Sequence, residues 1–135
     1  MEITAVIVLD TCIIIWDALD RKQLSTKAKK ALARFAPNEI ILCDISLWEI
    51  ALLIQRNRLM LSTTASHFLT LYVQSRGYHL QAITPAIAEL SVMLDKTINN
   101  DPADRLIVAT AINLHAPLIT ADSNLRQSKI LETIW

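Results

Sequence analysis

Glycine is almost missing from this chain: Gly77 stands alone among 135 residues, and there are only four prolines. Many-turned β-sandwiches draw heavily on both residues, so that class is disfavoured and long regular elements are expected. Zinc-type spacing is also lacking. The two cysteines, Cys12 and Cys43, form no Cys-x-x-Cys or Cys/His pattern, and without a secretion signal they are expected to be reduced and buried. No membrane-length run occurs either. The most apolar stretch, Ile3 to Trp16, is broken by Asp10 and falls short of the ~18 residues that a spanning helix needs. Glu2 precedes it in place of a basic segment, unlike a signal peptide. A cytoplasmic protein with no membrane association is therefore expected. Net charge is absent too: 13 basic residues balance 13 acidic ones, which gives no global attraction for nucleic acid.

What is present is ample core material. Hydrophobic residues make up 53% of the chain and mean hydropathy is +0.36, a composition that opposes disorder. The length suits one domain spanning residues 1–135. Ala5–Asp10 and Glu39–Ile45 read as buried strands, rich in Ile, Val and Leu and ending at polar residues. His79–Ile83, Pro117–Thr120 and Glu132–Trp135 are weaker strand signals. Helical signals lie between them: Thr26–Ala36, a run opened by Ser46, and a run opened by Ser62 or Thr63 that stops at Gly77. Two further helices start at Thr84–Pro85 and Asp101–Pro102, each an N-cap followed by proline. This alternation predicts a three-layer α/β fold with a mostly parallel sheet. In such sheets ligands bind at the carboxyl ends of the strands.

Four acids fall at those ends. Asp10 closes the first strand, and Glu49 follows the second in the helix that Ser46 is expected to cap. Asp104 lies in the first turn of the helix opened by Asp101–Pro102, and Asp122 closes the Ile-Thr-Ala-Asp run. Each has an ordinary structural explanation: Ser46-x-x-Glu49 has the form of a capping box, Asp104 would complement the helix dipole, and Asp122 would cap a turn. Together they repel one another unless a cation neutralises them. An oxygen-only set favours Mg²⁺ or Mn²⁺ over zinc, and such a site suits phosphodiester hydrolysis. Within Asp101-Pro102-Ala103-Asp104, Asp101 is expected to act mainly as the N-cap and Asp104 as a metal ligand. Thr11 is placed to hydrogen-bond a carboxylate, a metal-bound water or only backbone. Arg105 is placed to pair with Asp104, to pair with another acid or to grip phosphate.

The stretches Leu9-Asp10-Thr11, Ile45-Ser46-Leu47-Trp48-Glu49-Ile50-Ala51, Asp101-Pro102-Ala103-Asp104-Arg105-Leu106-Ile107 and Ile119-Thr120-Ala121-Asp122 resemble the four acidic motifs of PIN domains, in the same order and across nearly the whole chain. The Asp-Pro-x-Asp-Arg-Leu and Ser-x-Trp-Glu-Ile runs resemble the VapC-like toxin branch in particular. Ala103 departs from that branch, which often has an aromatic residue there. The resemblance implies a five-stranded sheet in the order 3-2-1-4-5, and Mg²⁺- or Mn²⁺-dependent endoribonuclease activity with Asp10, Glu49, Asp104 and Asp122 as catalytic and metal-binding acids. It also implies a homodimer and a cognate antitoxin protein.

Other features leave their alternatives open. From Arg21 to Arg34 the chain carries six basic residues, among them Lys27, Lys29 and Lys30, and no acid. That stretch suits either a solvated helix face or a phosphate-contacting patch for RNA. Trp16 and Trp48 neighbour the acids; packing beneath the site is favoured over stacking on a base. His67, His79 and His115 share no helical spacing and suggest no metal site. Alternatives to a toxin are an RNA-processing PIN nuclease without an antitoxin, and a binding module with a vestigial acidic pocket. An aspartate-based phosphotransferase expects a second Asp two residues after Asp10, where this chain has Cys12.

Overall fold

The computed structural model describes residues 5–135. Five parallel strands form one sheet: β1 (Ile7–Leu9), β2 (Ile40–Cys43), β3 (His79–Gln81), β4 (Leu118–Ile119) and β5 (Thr133–Ile134), in the spatial order β3-β2-β1-β4-β5. The expected architecture and strand order are both met. Register sets Ile7, Val8 and Leu9 beside Ile40, Ile41 and Leu42. Side chains alternate across the sheet, so these runs feed two cores. Ile7, Leu9, Ile40 and Leu42 meet Ile13 and Ile14 of α1 (Thr11–Leu19), Ala28 and Leu32 of α2 (Thr26–Arg34), Ile50 of α3 (Asp44–Gln55) and Tyr72 of α4 (Ala65–Arg76). On the opposite face, Val8, Ile41, Cys43 and Leu118 meet Ile87 of α5 (Pro85–Met93), Ile107 and Val108 of α6 (Pro102–Asn113) and Leu125 of α7 (Ser123–Gln127). That is why strands of so few residues read as continuous apolar runs.

Every strand is shorter than its apolar run suggested, and after β1 and β2 the chain turns into helix at once. α1 begins directly after β1, with extended Asp10 (ψ 156°) as its cap. α3 begins at Asp44, so Ser46 does not cap it; extended Cys43 holds that position without a side-chain bond. Ser46 is therefore the third residue of the helix, fully buried, and Ser46-x-x-Glu49 is not a capping box. The cap of α4 is Thr64 rather than Ser62 or Thr63; its hydroxyl accepts from His67 N at 3.1 Å. Gly77 ends that helix as expected, in the left-handed conformation (φ 69°) that glycine adopts freely. Thr84 and Asp101 cap α5 and α6, each followed by proline.

Candidate active site

The parallel register carries the ends of β1, β2 and β4 to one edge of the sheet, and α1, α3 and α7 all start there. Asp10 is the most enclosed acid of that edge, 6% exposed. Its Oδ1 accepts from Thr11 N at 2.8 Å, and its Oδ2 accepts from the Thr120 hydroxyl at 2.6 Å. Burial pushes its carboxyl above the usual range; the bonds from Thr120 and Thr11 pull it down, and the charges of Asp122 and Asp101 push it up.

A second layer links α1 to α3. The Thr11 hydroxyl donates to Glu49 Oε1, and its oxygen lies 2.9 Å from the Ser46 hydroxyl. A carboxylate only accepts, so the single Thr11 proton goes to Glu49 and Ser46 donates to Thr11. Ser46 and Thr11 thus orient Glu49, the role open to Thr11 from sequence and one not foreseen for Ser46. Burial raises the Glu49 carboxyl as well, opposed by the Thr11 bond and reinforced by Asp101 and Asp10.

Asp104 stands in the first turn of α6, where Asn99 Nδ2 donates to its Oδ2 at 2.9 Å. Its carboxyl is pushed up to about 7, first by burial, against the Asn99 bond, and then by the charges of Asp10, Asp101 and Glu49. Carboxylate oxygens of Glu49, Asp101 and Asp104 all lie within 4.8 Å of one another. Asp101 also accepts from Ala103 N at 2.9 Å, so it does cap α6 as expected while its charge sits inside the acid cluster. Asp122 is placed differently. It caps α7, accepting from Leu125 N at 3.0 Å, and its own N–H donates to Thr120 Oγ1. Its charge reaches the site by raising Asp10.

Arg105 forms a salt bridge with neither Asp104 nor another acid among the described residues. Its guanidinium donates to the carbonyl oxygens of Ser91, Leu94, Ile98 and Asn99, at 3.0, 2.7, 3.0 and 3.3 Å. It therefore clamps the loop between α5 and α6, and that loop delivers Asn99 to Asp104. The reason is reach: five fixed donors on a planar head match a ring of carbonyls better than one carboxylate. Asn124 braces the same loop, accepting from Asn99 N and donating to Thr97 O.

Of the basic residues, Lys29 and Lys30 are exposed on α2, and Lys27 borders solvent through a polar groove. Lys27 lines that groove, of about 400 Å³, with Ser123, Arg126 and Trp135, on the α7 side of the acids. Trp16 packs against Trp135, ring centroids 5.7 Å apart. Trp48 does not pack beneath the site; it is 57% exposed. Both cysteines are free, with thiols pushed up to about 12 chiefly by burial, so they stay neutral.

One carboxylate carried no signal in the sequence. Asp17, on α1, is 1% exposed and accepts from Tyr72 Oη at 2.7 Å, Arg76 Nε at 3.0 Å, Tyr78 Oη at 3.3 Å and the Arg21 guanidinium. This knot joins α1 to α4, and its tyrosines belong to the core on that face of the sheet rather than to the acid cluster.

The oxygen donors of this cluster fit a hard divalent cation: they are close, carry no histidine or cysteine, and their charges add to the rise that burial causes in Asp104. The parallel sheet with acids at its carboxyl edge is that of the PIN domain, whose family model matches residues 7–130; the chain belongs to the PIN-domain family. It is 32% identical, over 96% of its own length and 98% of the relative's, to Ribonuclease VapC22 of Mycobacterium tuberculosis. Among solved structures it is similar to VapBC2 from Rickettsia felis bound to a DNA fragment from their promoter (TM-score 0.70, 18% identity, 95% and 96% of the two chains covered). A toxin–antitoxin complex from Klebsiella pneumoniae is a further likeness (TM-score 0.63, 22% identity, 93% and 94% covered). At those identities the solved structures bear on fold.

Proposed function

We propose that this protein is a metal-dependent endoribonuclease and the toxin of a type II toxin–antitoxin pair. The observation that carries the reading is the clustering of Glu49, Asp101 and Asp104 beside buried Asp10, in a chain related along its length to a ribonuclease. Glu49, Asp104 and Asp10 are the residues that would hold Mg²⁺ or Mn²⁺, with Asp101 close by and Asp122 acting from the α7 side. Bound there, such an ion would activate water for attack on the phosphodiester and neutralise charge developing on phosphorus.

The chain's own residues prepare that chemistry. Thr120 and Thr11 N hold Asp10 with both oxygens oriented. Thr11 and Ser46 aim Glu49 through one directed hydrogen-bond chain. Asn99 fixes one oxygen of Asp104, leaving the other free to bind. Lys27, Lys29 and Lys30 supply positive charge for the RNA backbone. No helix among the described residues is long and apolar enough to cross a membrane; the proposed setting is the cytoplasm, with a homodimer and an antitoxin as partners.

The test is cleavage of a randomised RNA pool with Mn²⁺ and with chelator, paired with induced expression in cells. Metal-dependent cleavage and growth arrest relieved by a co-expressed neighbouring small protein are expected. Cleavage without arrest would favour an RNA-processing nuclease, and absence of cleavage a vestigial pocket.

A further inference from the structure

The acid cluster opens at one end onto a groove of about 320 Å³ along the outer face of α3. Trp48, Leu52 and Arg56 recur every fourth residue and so form one stripe, with Glu49 and Leu53 beside it. From Trp48 to Arg56 the stripe spans about 12 Å. One end closes on Glu49 and Asp101, and the other on Arg56 and Arg58. Both arginines are brought to the same groove by the turn that ends α3. Asn57 takes a left-handed conformation (φ 58°), and the amides of Arg58 and Leu59 fold back onto Leu53 O at 2.9 and 3.3 Å.

Two features of this groove suit no intramolecular role. An indole 57% exposed costs hydrophobic burial that the core would otherwise gain. Neither Arg56 nor Arg58 joins the salt bridges of the described residues, which both involve Asp17. Free guanidiniums at one end, and an open aromatic face beside the acids at the other, offer a nucleotide strand contacts for its phosphates and for a base.

We infer that this groove seats the single-stranded RNA flanking the scissile phosphate, with a base stacked on Trp48 and backbone phosphates on Arg56 and Arg58. This rests on the nuclease reading of the acid cluster. Stacking on an aromatic is tolerant of sequence, because every base has a π-face. The guanidiniums offset the repulsion between the acid cluster and the phosphates, and they set which direction the strand leaves the site.

The experiment uses the whole chain and a labelled single-stranded RNA pool of randomised sequence. Binding is followed by anisotropy in chelator, and cleavage in Mn²⁺. Trp48→Ala should weaken binding about tenfold, with Trp48→Phe retaining most of it. Arg56→Ala and Arg58→Ala should each flatten the salt dependence of binding by about 0.7 in log–log slope. The thermal shift caused by Mn²⁺ should be the same in all four variants as in the parent. Unchanged binding in folded Trp48→Ala would overturn the inference, as would a change in oligomeric mass without a change in binding, which would assign the face to a second copy. If the parent protein binds the pool but never cuts it, the nuclease reading fails separately, while a Trp48-dependent Kd would still support the groove.

Discussion

Replacing Asp104 by asparagine should make the metal-free protein steadier and the enzyme inactive. The carboxyl of Asp104 is shifted from 3.8 to about 7, with burial the leading cause and three neighbouring acids adding to it. Between those two pH values the folded chain keeps a proton that the unfolded chain has released, so stability falls as pH rises through the window. Below about 4 the penalty is absent, and above about 7 it is complete. A shift of that size would be about 4 kcal/mol if fully realised. The group is only partly buried, and solvent screening reduces this to about 1–2 kcal/mol. The asparagine would keep the bond from Asn99 through its carbonyl oxygen and carry no charge. Thermal melts in chelator should therefore place Asp104→Asn roughly 3–8 °C above the parent at pH 8, and level with it near pH 4. Adding Mn²⁺ should raise the parent's midpoint and narrow or reverse the gap, more at pH 8 than at pH 5.5, because the ion competes with the proton on Asp104. An equal difference between the two proteins at both pH values would refute the reasoning, since it would mean that Asp104 carries no pH-linked penalty.

Asp17→Ala should cost about 3–5 kcal/mol by denaturant unfolding, because the Tyr72 hydroxyl and Arg76 Nε lose their buried carboxylate acceptor, while Arg76 Nη2 keeps the Asp17 carbonyl; a loss under about 1 kcal/mol would show the knot to be dispensable. Thr120→Val keeps the shape but removes the donor to Asp10 and the acceptor for Asp122 N; a loss of about 1.5–3 kcal/mol and weaker Mn²⁺ binding are expected from melts and titration calorimetry. Asp101→Asn should preserve the cap of α6 and the melting temperature but weaken Mn²⁺ binding, whereas Asp101→Ala should also lose about 0.5–2 kcal/mol; full Mn²⁺ affinity in the Asn variant would return Asp101 to a purely structural role. Replacing Lys27, Lys29 and Lys30 together by alanine should flatten the salt dependence of RNA binding and leave Mn²⁺ binding alone; an unchanged slope would make this a solvated helix face.

The sheet was legible because strands buried on both faces are written as unbroken apolar runs, as in Ile7–Leu9 and Ile40–Cys43. Asp10 was legible because it follows such a run directly, and Glu49, Asp104 and Asp122 because each lies near the start of a helix. What was hidden depends on partners far away in the chain. Ser46-x-x-Glu49 has the local form of a capping box, yet both residues bond to Thr11, 35 and 38 positions earlier. Asp17 looks like any helical acid, and its tyrosine and Arg76 partners lie 55 to 61 residues on. Arg105 stands next to Asp104 in the chain, while its true acceptors are carbonyls, which no side-chain pattern advertises. The exposure of Trp48 was equally silent, since residues 45–54 are apolar almost all round the helix and do not say which side meets the sheet.

The clamp made by Arg105 has a consequence for how such a protein is disarmed. Lysine keeps the charge but offers one compact ammonium in place of a planar fork, so it could satisfy only part of a ring of four carbonyls. The loop would then sample many arrangements, and each ion arriving would have to freeze it afresh. A change usually scored as mild, at a residue that touches none of the clustered carboxylates, would thus act as an attenuator. If the proposed toxin role holds, cells that survive expression of this protein should yield substitutions at Arg105 alongside those at the acids themselves.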